Sequence, residues 1–290
     1  MKKLSFSLLG ILMLLVISCQ RGELSKQYIL QLPQISVQLW SVKDELKADF
    51  VGTLTALSAM GFDGVEFAGE FGPYVNDVQG LKALLDELGL EVSGAHVRFA
   101  QLNAENLQNT LNFYRQLAVK SLVIHMDSRA WDAQLVDTFI ADINALSITL
   151  KAEGFQVGYH NHWQEFNPYL GATFWDHIAQ STPNNVILQL DVGWVSYAEK
   201  NPLEFIQNYP SRTITTHIKA KFPKSITDTS NKRAIVGQDI TDWAAVLKTN
   251  IEFGATKWWV IEQEESPEGF TRMQAVQASK LGLDKFISNL

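Results

Sequence analysis

The sequence predicts an α/β fold, a single (β/α)8 TIM barrel from residue 34 to residue 290. Short apolar segments alternate with longer helical ones along that whole span. Most of the apolar segments lack clean polar alternation, so they read as parallel strands buried on both faces. Eight such units in roughly 250 residues match a closed barrel. No Gly-x-Gly-x-x-Gly follows the first strand, which argues against an open dinucleotide-binding sheet.

The strand segments are Gln34–Trp40, Asp63–Phe67, Leu90–His96, Lys120–His125, Phe155–His160, Val186–Val192, Thr213–Ile218 and Lys257–Glu262. Each is rich in Val, Ile, Leu or Phe. Helical spacing of apolar residues marks Phe50–Met60, Leu81–Leu88, Leu107–Leu117 and Leu135–Lys151, and a last helix spans about Pro267–Leu281. Gly61, Gly89 and Gly154 follow three of these helices, where glycine is the expected stop signal.

Residues 1–18 are expected to lie outside the fold. Lys2 and Lys3 precede an apolar run from Leu4 to Ile17, the pattern of a secretory signal and too short for a comfortable membrane span. The run ends Leu15-Val16-Ile17-Ser18-Cys19, which resembles a bacterial lipobox, and Cys19 is the only cysteine in the chain. Cys19 is thus the expected lipidation site and residues 19–33 a tether. Gln20 supplies no acidic retention signal, so the expected location is the cell envelope, at the periplasmic face of the outer membrane. Membrane contact is expected only through that lipid. The net charge of -7 and the lack of a Lys/Arg run argue against a nucleic-acid partner.

In a barrel of this kind the active site lies at the C-terminal ends of the strands. Five of the six histidines fall there: His96, His125, His160, His162 and His217. Asp191, His217 and Glu262, at the ends of strands six, seven and eight, supply two carboxylates and an imidazole for a divalent ion. The fourth ligand is Glu165 or His160, from strand five. This mixed oxygen and nitrogen set suits Mn²⁺, Zn²⁺, Co²⁺ or Mg²⁺. Glu262, Glu165, His160 and His162 are candidates for proton transfer, and Lys219 for stabilising negative charge. Trp40, Trp163 and Trp194 are candidate platforms for a substrate face, with Glu66, His96 and His125 as further substrate contacts. Phe67 reads as core.

Four motifs carry a resemblance: Tyr159-His160-Asn161-His162-Trp163-Gln164-Glu165-Phe166, Leu190-Asp191-Val192-Gly193-Trp194, His217-Ile218-Lys219 and Ile261-Glu262-Gln263. They resemble the xylose isomerase-like TIM barrel superfamily, broadly the sugar phosphate isomerases/epimerases, over about Gln34 to the C-terminus. The resemblance implies a divalent ion held by strands five to eight and a sugar substrate. Relatives in that superfamily include ketose 3-epimerases, inosose dehydratases, hydroxypyruvate isomerases, endonuclease IV and enzymes acting on 3-keto-glycosides. In the ketose epimerases, glutamates at the ends of strands five and eight face each other across the substrate. Here His160 stands at the strand-five end and the nearest glutamate is Glu165. A histidine acid/base beside a metal Lewis acid then fits β-elimination or hydration next to a ketone as well as it fits isomerisation. The long loop Lys219–Asp239 reads as solvated. A repair nuclease is disfavoured by the acidic charge, and a non-catalytic sugar-binding lipoprotein by the number of acid/base groups at the mouth.

Overall fold

The apolar segments become the staves of a closed sheet in the computed structural model, which describes residues 32–229 and 232–290. The strands are β1 (Gln34–Gln38), β2 (Gly64–Phe67), β3 (Glu91–Val97), β4 (Ser121–Ile124), β5 (Gln156–His160), β6 (Ile187–Asp191), β7 (Thr215–Ile218) and β8 (Trp258–Ile261). Each pairs in parallel with its neighbour in chain order, and β1 closes the ring against β8. Closure leaves no unpaired sheet edge. Strand residues are buried on both faces because side chains fill the interior and helices cover the outside.

The longer helices are α1 (Phe50–Ala59), α2 (Val78–Glu87), α3 (Leu107–Gln116), α4 (Val136–Ala152), α5 (Phe174–Ser181), α6 (Pro202–Asn208), α7 (Trp243–Thr249) and α8 (Arg272–Ile287). The side chains of Asp49, Asp77, Thr173, Asn201, Asp242 and Thr271 accept first-turn N–H groups that have no partner within the helix. Gly61, Gly89 and Gly154 have φ of 81°, 66° and 81°, the left-handed turn that ends a helix. Apolar periodicity alone does not reveal α5, α6 and α7, which are only about two turns long. Their caps were the better signal. The last helix begins at Arg272, later than its apolar pattern suggests, because the Thr271/Gln274 capping box sets its start.

Strand pairing stops earlier than the first apolar run. At Gln38 the chain turns into the 3-10 segment Leu39–Val42, and the Gln38 side chain accepts the Trp40 N–H. That turn swings Trp40 out to the rim, where it is 45% exposed with Lys43 Nζ 3.6 Å from its ring centroid. Phe67 is fully buried and packs on Phe71 at 5.1 Å, as a core residue should. No helix among the described residues is long and apolar enough to cross a membrane. The expected signal segment 1–18, the expected lipidation site Cys19 and the expected tether up to residue 31 lie outside the described residues.

Phe139 of α4 links the helical layer to the sheet. Its ring meets Tyr159 edge-on at 4.7 Å and Phe99 at 5.8 Å. Phe139→Ala is expected to cost about 3–5 kcal/mol of stability, read as a lower urea midpoint, since the cavity falls between strand and helix. A loss below about 0.5 kcal/mol, the size of a surface substitution, would show that this contact does not hold the layers together.

Candidate metal centre and active site

Side chains alternate along each strand, so residues two apart share the barrel interior. Gln189 and Asp191 point inward from β6, His217 from β7, His160 from β5 and Glu66 from β2. Register sets Asp191 beside His217 and His160 beside Gln189. The result is a cluster of His160, Asp191, His217 and Glu262, all buried, with one donor atom from each lying within 4.8 Å of the others. His217 Nδ1 is 2.7 Å from Glu262 Oε2 and 3.9 Å from Asp191 Oδ2, and His160 Nε2 is 3.7 Å from Asp191 Oδ2.

Beneath the cluster lies Glu66, expected as a substrate contact but fully buried. Its Oε1 accepts from Gln38 Nε2 at 2.7 Å and lies 2.7 Å from His217 Nε2 and 3.1 Å from His96 Nε2. Its Oε2 accepts from Gln189 Nε2 at 2.7 Å. Burial pushes this carboxyl up, but the neighbouring His96 and His217 push harder and hold it well below the usual carboxylate range. Burial lowers the His217 imidazole too. Glu66 and then Glu262 outweigh that and raise it to about 10. In this state His217 is an imidazolium that donates one N–H to each carboxylate.

These residues fit a divalent ion on three grounds. Two imidazoles and two carboxylates are a common donor set for Zn²⁺ and Mn²⁺. The outer nitrogens of the histidines already have partners. His217 Nε2 faces Glu66, and His160 Nδ1 is 3.0 Å from Gln189 Oε1, the acceptor end of an amide whose nitrogen serves Glu66. Such outer bonds fix the tautomer and leave the inner nitrogen, His160 Nε2 or His217 Nδ1, to face the ion. Finally, burial raises Asp191 to about 6 in spite of Lys219, which marks a carboxylate short of positive charge. Asp191 Oδ1 caps the short helix Val192–Tyr197 through the Trp194 N–H at 2.9 Å, leaving Oδ2 toward the cluster. Asn161 joins the ends of β5 and β6: its Oδ1 accepts from Asp191 N at 2.8 Å and its Nδ2 donates to Asp191 O at 3.3 Å.

Lys219 enters the same space. Its Nζ is 3.2 Å from Asp191 Oδ2, 3.3 Å from Glu262 Oε2 and 3.1 Å from Glu264 Oε2. Gly193 makes room for it, since a Cβ there would lie 2.6 Å from the Lys219 carbonyl oxygen. Burial lowers the ammonium pKa, but Asp191 and Glu262 overcome that and raise it above its ordinary value. Burial raises the Glu262 carboxyl, while Lys219 and then His217 hold it far below its ordinary range.

Glu165 stands apart from the cluster. The 3-10 turn Gln164–Phe166 carries it back over Tyr159, whose ring faces outward onto Phe139 and Trp175. Its carboxylate accepts from Tyr159 OH at 2.5 Å and from His162 N at 3.0 Å. Of the two strand-five alternatives, then, the structure brings His160 to the cluster and leaves Glu165 behind it. His162 and His125 line the wall. Burial first lowers each to about 4, aided by Lys219 for His162 and by His96 for His125. His125 Nδ1 donates to Val97 O at 3.1 Å, so its neutral ring carries the lone pair on Nε2. The buried atoms His162 Nδ1 and Trp194 Nε1 have no partner, and their rings are 5.5 Å apart. Trp163 packs on Tyr197 at 6.3 Å. Sequence reasoning missed Gln38, Gln189 and Asn161. Gln189 was within reach, two residues before Asp191 and so on the same face of β6.

A family model described as xylose isomerase-like TIM barrel matches residues 54–284. An inosose dehydratase from Clostridium botulinum is 21% identical over 260 residues, covering 75% of this chain and 83% of that protein. Among solved structures, a sugar phosphate isomerase/epimerase from Parabacteroides distasonis superposes with a TM-score of 0.71 at 23% identity, over 89% of this chain and 96% of that one. The IOLI protein, solved with a binding zinc atom, superposes at 0.65 with 17% identity, over 88% and 98%. At these identities the structural likeness is one of fold.

The placement of Glu165 has a pH signature. Burial raises its carboxyl from 4.5 to about 7, against the pull of Tyr159 and His162. The native state therefore prefers the protonated form, and stability falls as pH rises from the unfolded value to the folded one, then levels off. Glu165→Gln mimics the neutral acid. It is expected to remove a fall of about 3 kcal/mol between pH 4.5 and pH 7.5, measured by urea unfolding. Parallel pH curves for variant and wild type would contradict this.

Proposed function

Since the chain belongs to the xylose isomerase-like TIM barrel family, we propose that it is a divalent-metal-dependent sugar enzyme that removes a proton next to a carbonyl, with β-elimination as its outcome and hydration as the reverse reaction. The observation that carries this reading is the buried His160, Asp191, His217 and Glu262 cluster, with its outer imidazole nitrogens already tied. An ion held there would supply Lewis-acid charge to adjacent oxygens of the sugar.

The chain's own residues supply the proton transfers. Glu262 is a poor proton acceptor because Lys219 and His217 stabilise its charge. Glu165 is engaged with Tyr159, away from the cluster. His162 is neutral at pH 7, with an unpartnered Nδ1, and is the proposed base for the α-proton. His125 is neutral as well and offers its Nε2 lone pair from the neighbouring wall. Once protonated, His162 can return its proton to the leaving oxygen, which closes an elimination without a second base. Lys219 adds fixed positive charge beside the oxygens that become negative. Trp194 Nε1 can donate to a sugar hydroxyl, and the Trp194, Trp163 and Tyr197 rings give that side an apolar wall.

A two-glutamate epimerisation has less support, because no glutamate stands in the cluster opposite Glu262 among the described residues. The name of the inosose dehydratase relative agrees with loss of water beside a ketone. A neutral sugar or a 3-keto-glycoside is the proposed substrate. The basic start, apolar run and Cys19 support placing the activity in the cell envelope behind a lipid anchor.

The test is solvent exchange. With Mn²⁺ and a panel of ketoses and 3-keto-glycosides in D₂O, the wild type is expected to wash deuterium into the carbon next to the carbonyl, followed by NMR. His162→Asn should slow exchange by about 100-fold or more while sugar binding persists. A wild type that binds sugars but exchanges no proton would replace this reading with that of a sugar-binding protein.

A further inference from the structure

Lys219 meets the candidate centre at the same oxygens that the centre would offer an ion. Asp191 Oδ2 lies 3.7 Å from His160 Nε2 and 3.9 Å from His217 Nδ1, and it is also 3.2 Å from Lys219 Nζ. Glu262 Oε2 faces His217 Nδ1 at 2.7 Å and Lys219 Nζ at 3.3 Å. The ammonium is only 2% exposed as a residue and has Trp194 against it, with Nζ 4.9 Å from the ring centroid. Its third partner differs. Glu264 Oε2, at 3.1 Å, lies outside the candidate metal cluster, and that side chain is 27% exposed. Lys221 lies 4.4 Å from the centroid of the same Trp194 ring and 2.5 Å from Glu265, so a second cation shares that tryptophan.

We infer that Lys219 is a resident cation that shares Asp191 and Glu262 with the divalent ion, and that Glu264 takes the ammonium when the ion is bound. This rests on the metal reading proposed above. A buried pair of like charges needs a counter-charge. Without an ion, Lys219 keeps Asp191 and Glu262 together and the centre formed. When the ion arrives, two cations compete for the same two oxygens. The flexible lysine stem lets Nζ move toward Glu264 while remaining at the mouth. Binding of the ion is then coupled to displacement of the ammonium, which weakens the ion and keeps it exchangeable. The bound state would also have a cation just off the ion, facing the substrate.

The experiment is a Mn²⁺ titration of chelator-stripped protein, with free Mn²⁺ read by electron paramagnetic resonance, and thermal unfolding alongside. Lys219→Met should bind Mn²⁺ more tightly by about tenfold or more, within the usual range for two coupled sites. It should melt earlier than wild type in chelator and recover when Mn²⁺ is added. Glu264→Gln removes the alternative partner and should weaken Mn²⁺ binding by roughly fivefold. Being a change at a partly exposed side chain, it decides the matter if Lys219→Met does not fold. Wild-type-like affinity in the variants, or weaker binding by Lys219→Met, overturns the inference and leaves the metal centre standing. No uptake by any of the proteins, wild type included, overturns both.

Discussion

A single buried carboxylate, Glu66, gives the mouth of this barrel its order. A charge with no exposed surface is tolerated only where hydrogen bonds and opposite charge surround it. Glu66 finds both by drawing Gln38 from β1, His96 from β3, Gln189 from β6 and His217 from β7 onto its two oxygens. Those contacts cross the barrel interior, linking strands far apart in sequence. Gly94 leaves space for the carboxylate, since a Cβ there would lie 3.2 Å from Glu66 Oε2. Each histidine that reaches the candidate centre is oriented through this hub. His217 bonds to it directly, and His160 bonds to the amide that bonds to it.

Charge is graded outward from that hub. Glu66 stays ionised because His96 and His217 stand against its buried oxygens. His217 is held as a cation between two carboxylates. One layer up, Asp191 and Glu262 share Lys219, and Asp191 still titrates near 6. Further along the wall, burial without a carboxylate partner leaves His125 and His162 neutral. The same residue type thus serves as structural cation, as candidate ligand and as candidate base, according to what stands within about 3–4 Å of its ring. That separation of roles is what an elimination beside a carbonyl needs: fixed positive charge for the oxygens and an uncharged acceptor for the proton.

Much of this was legible in the sequence, and the gaps have physical causes. Two-sided burial made the strands visible as apolar runs, and their ends named Asp191, His217 and Glu262 before any coordinates. Helices of only about two turns escaped because they carry too few apolar positions to show a period, although Thr173, Asn201 and Asp242 marked their starts. As a charged residue at a strand end, Glu66 reads from the sequence as a substrate contact; how deep it sits depends on the pleat and on the four donors around it. Glu165 is five residues beyond His160, and only the 3-10 turn at Gln164–Phe166 decides which side of β5 it joins. Gln189 and Gln38 escape notice because amides carry no charge to draw attention, yet Gln189 bonds the His96 and His160 rings and Gln38 bonds Glu66. Lys219 was marked for charge stabilisation, but its hold on the candidate ligands depends on the space left by Gly193, a three-dimensional fact.

The central claim is that the ends of β5 to β8 form one divalent-ion centre resting on Glu66. Anomalous diffraction from crystals soaked in Mn²⁺ tests it most directly. The account predicts one strong anomalous peak per chain, bounded by His160, Asp191, His217 and Glu262, with the Glu66 bonds to His217 and Gln189 intact. A peak elsewhere, such as between His96 and His125, or no peak in crystals that diffract well enough to show one, would contradict it.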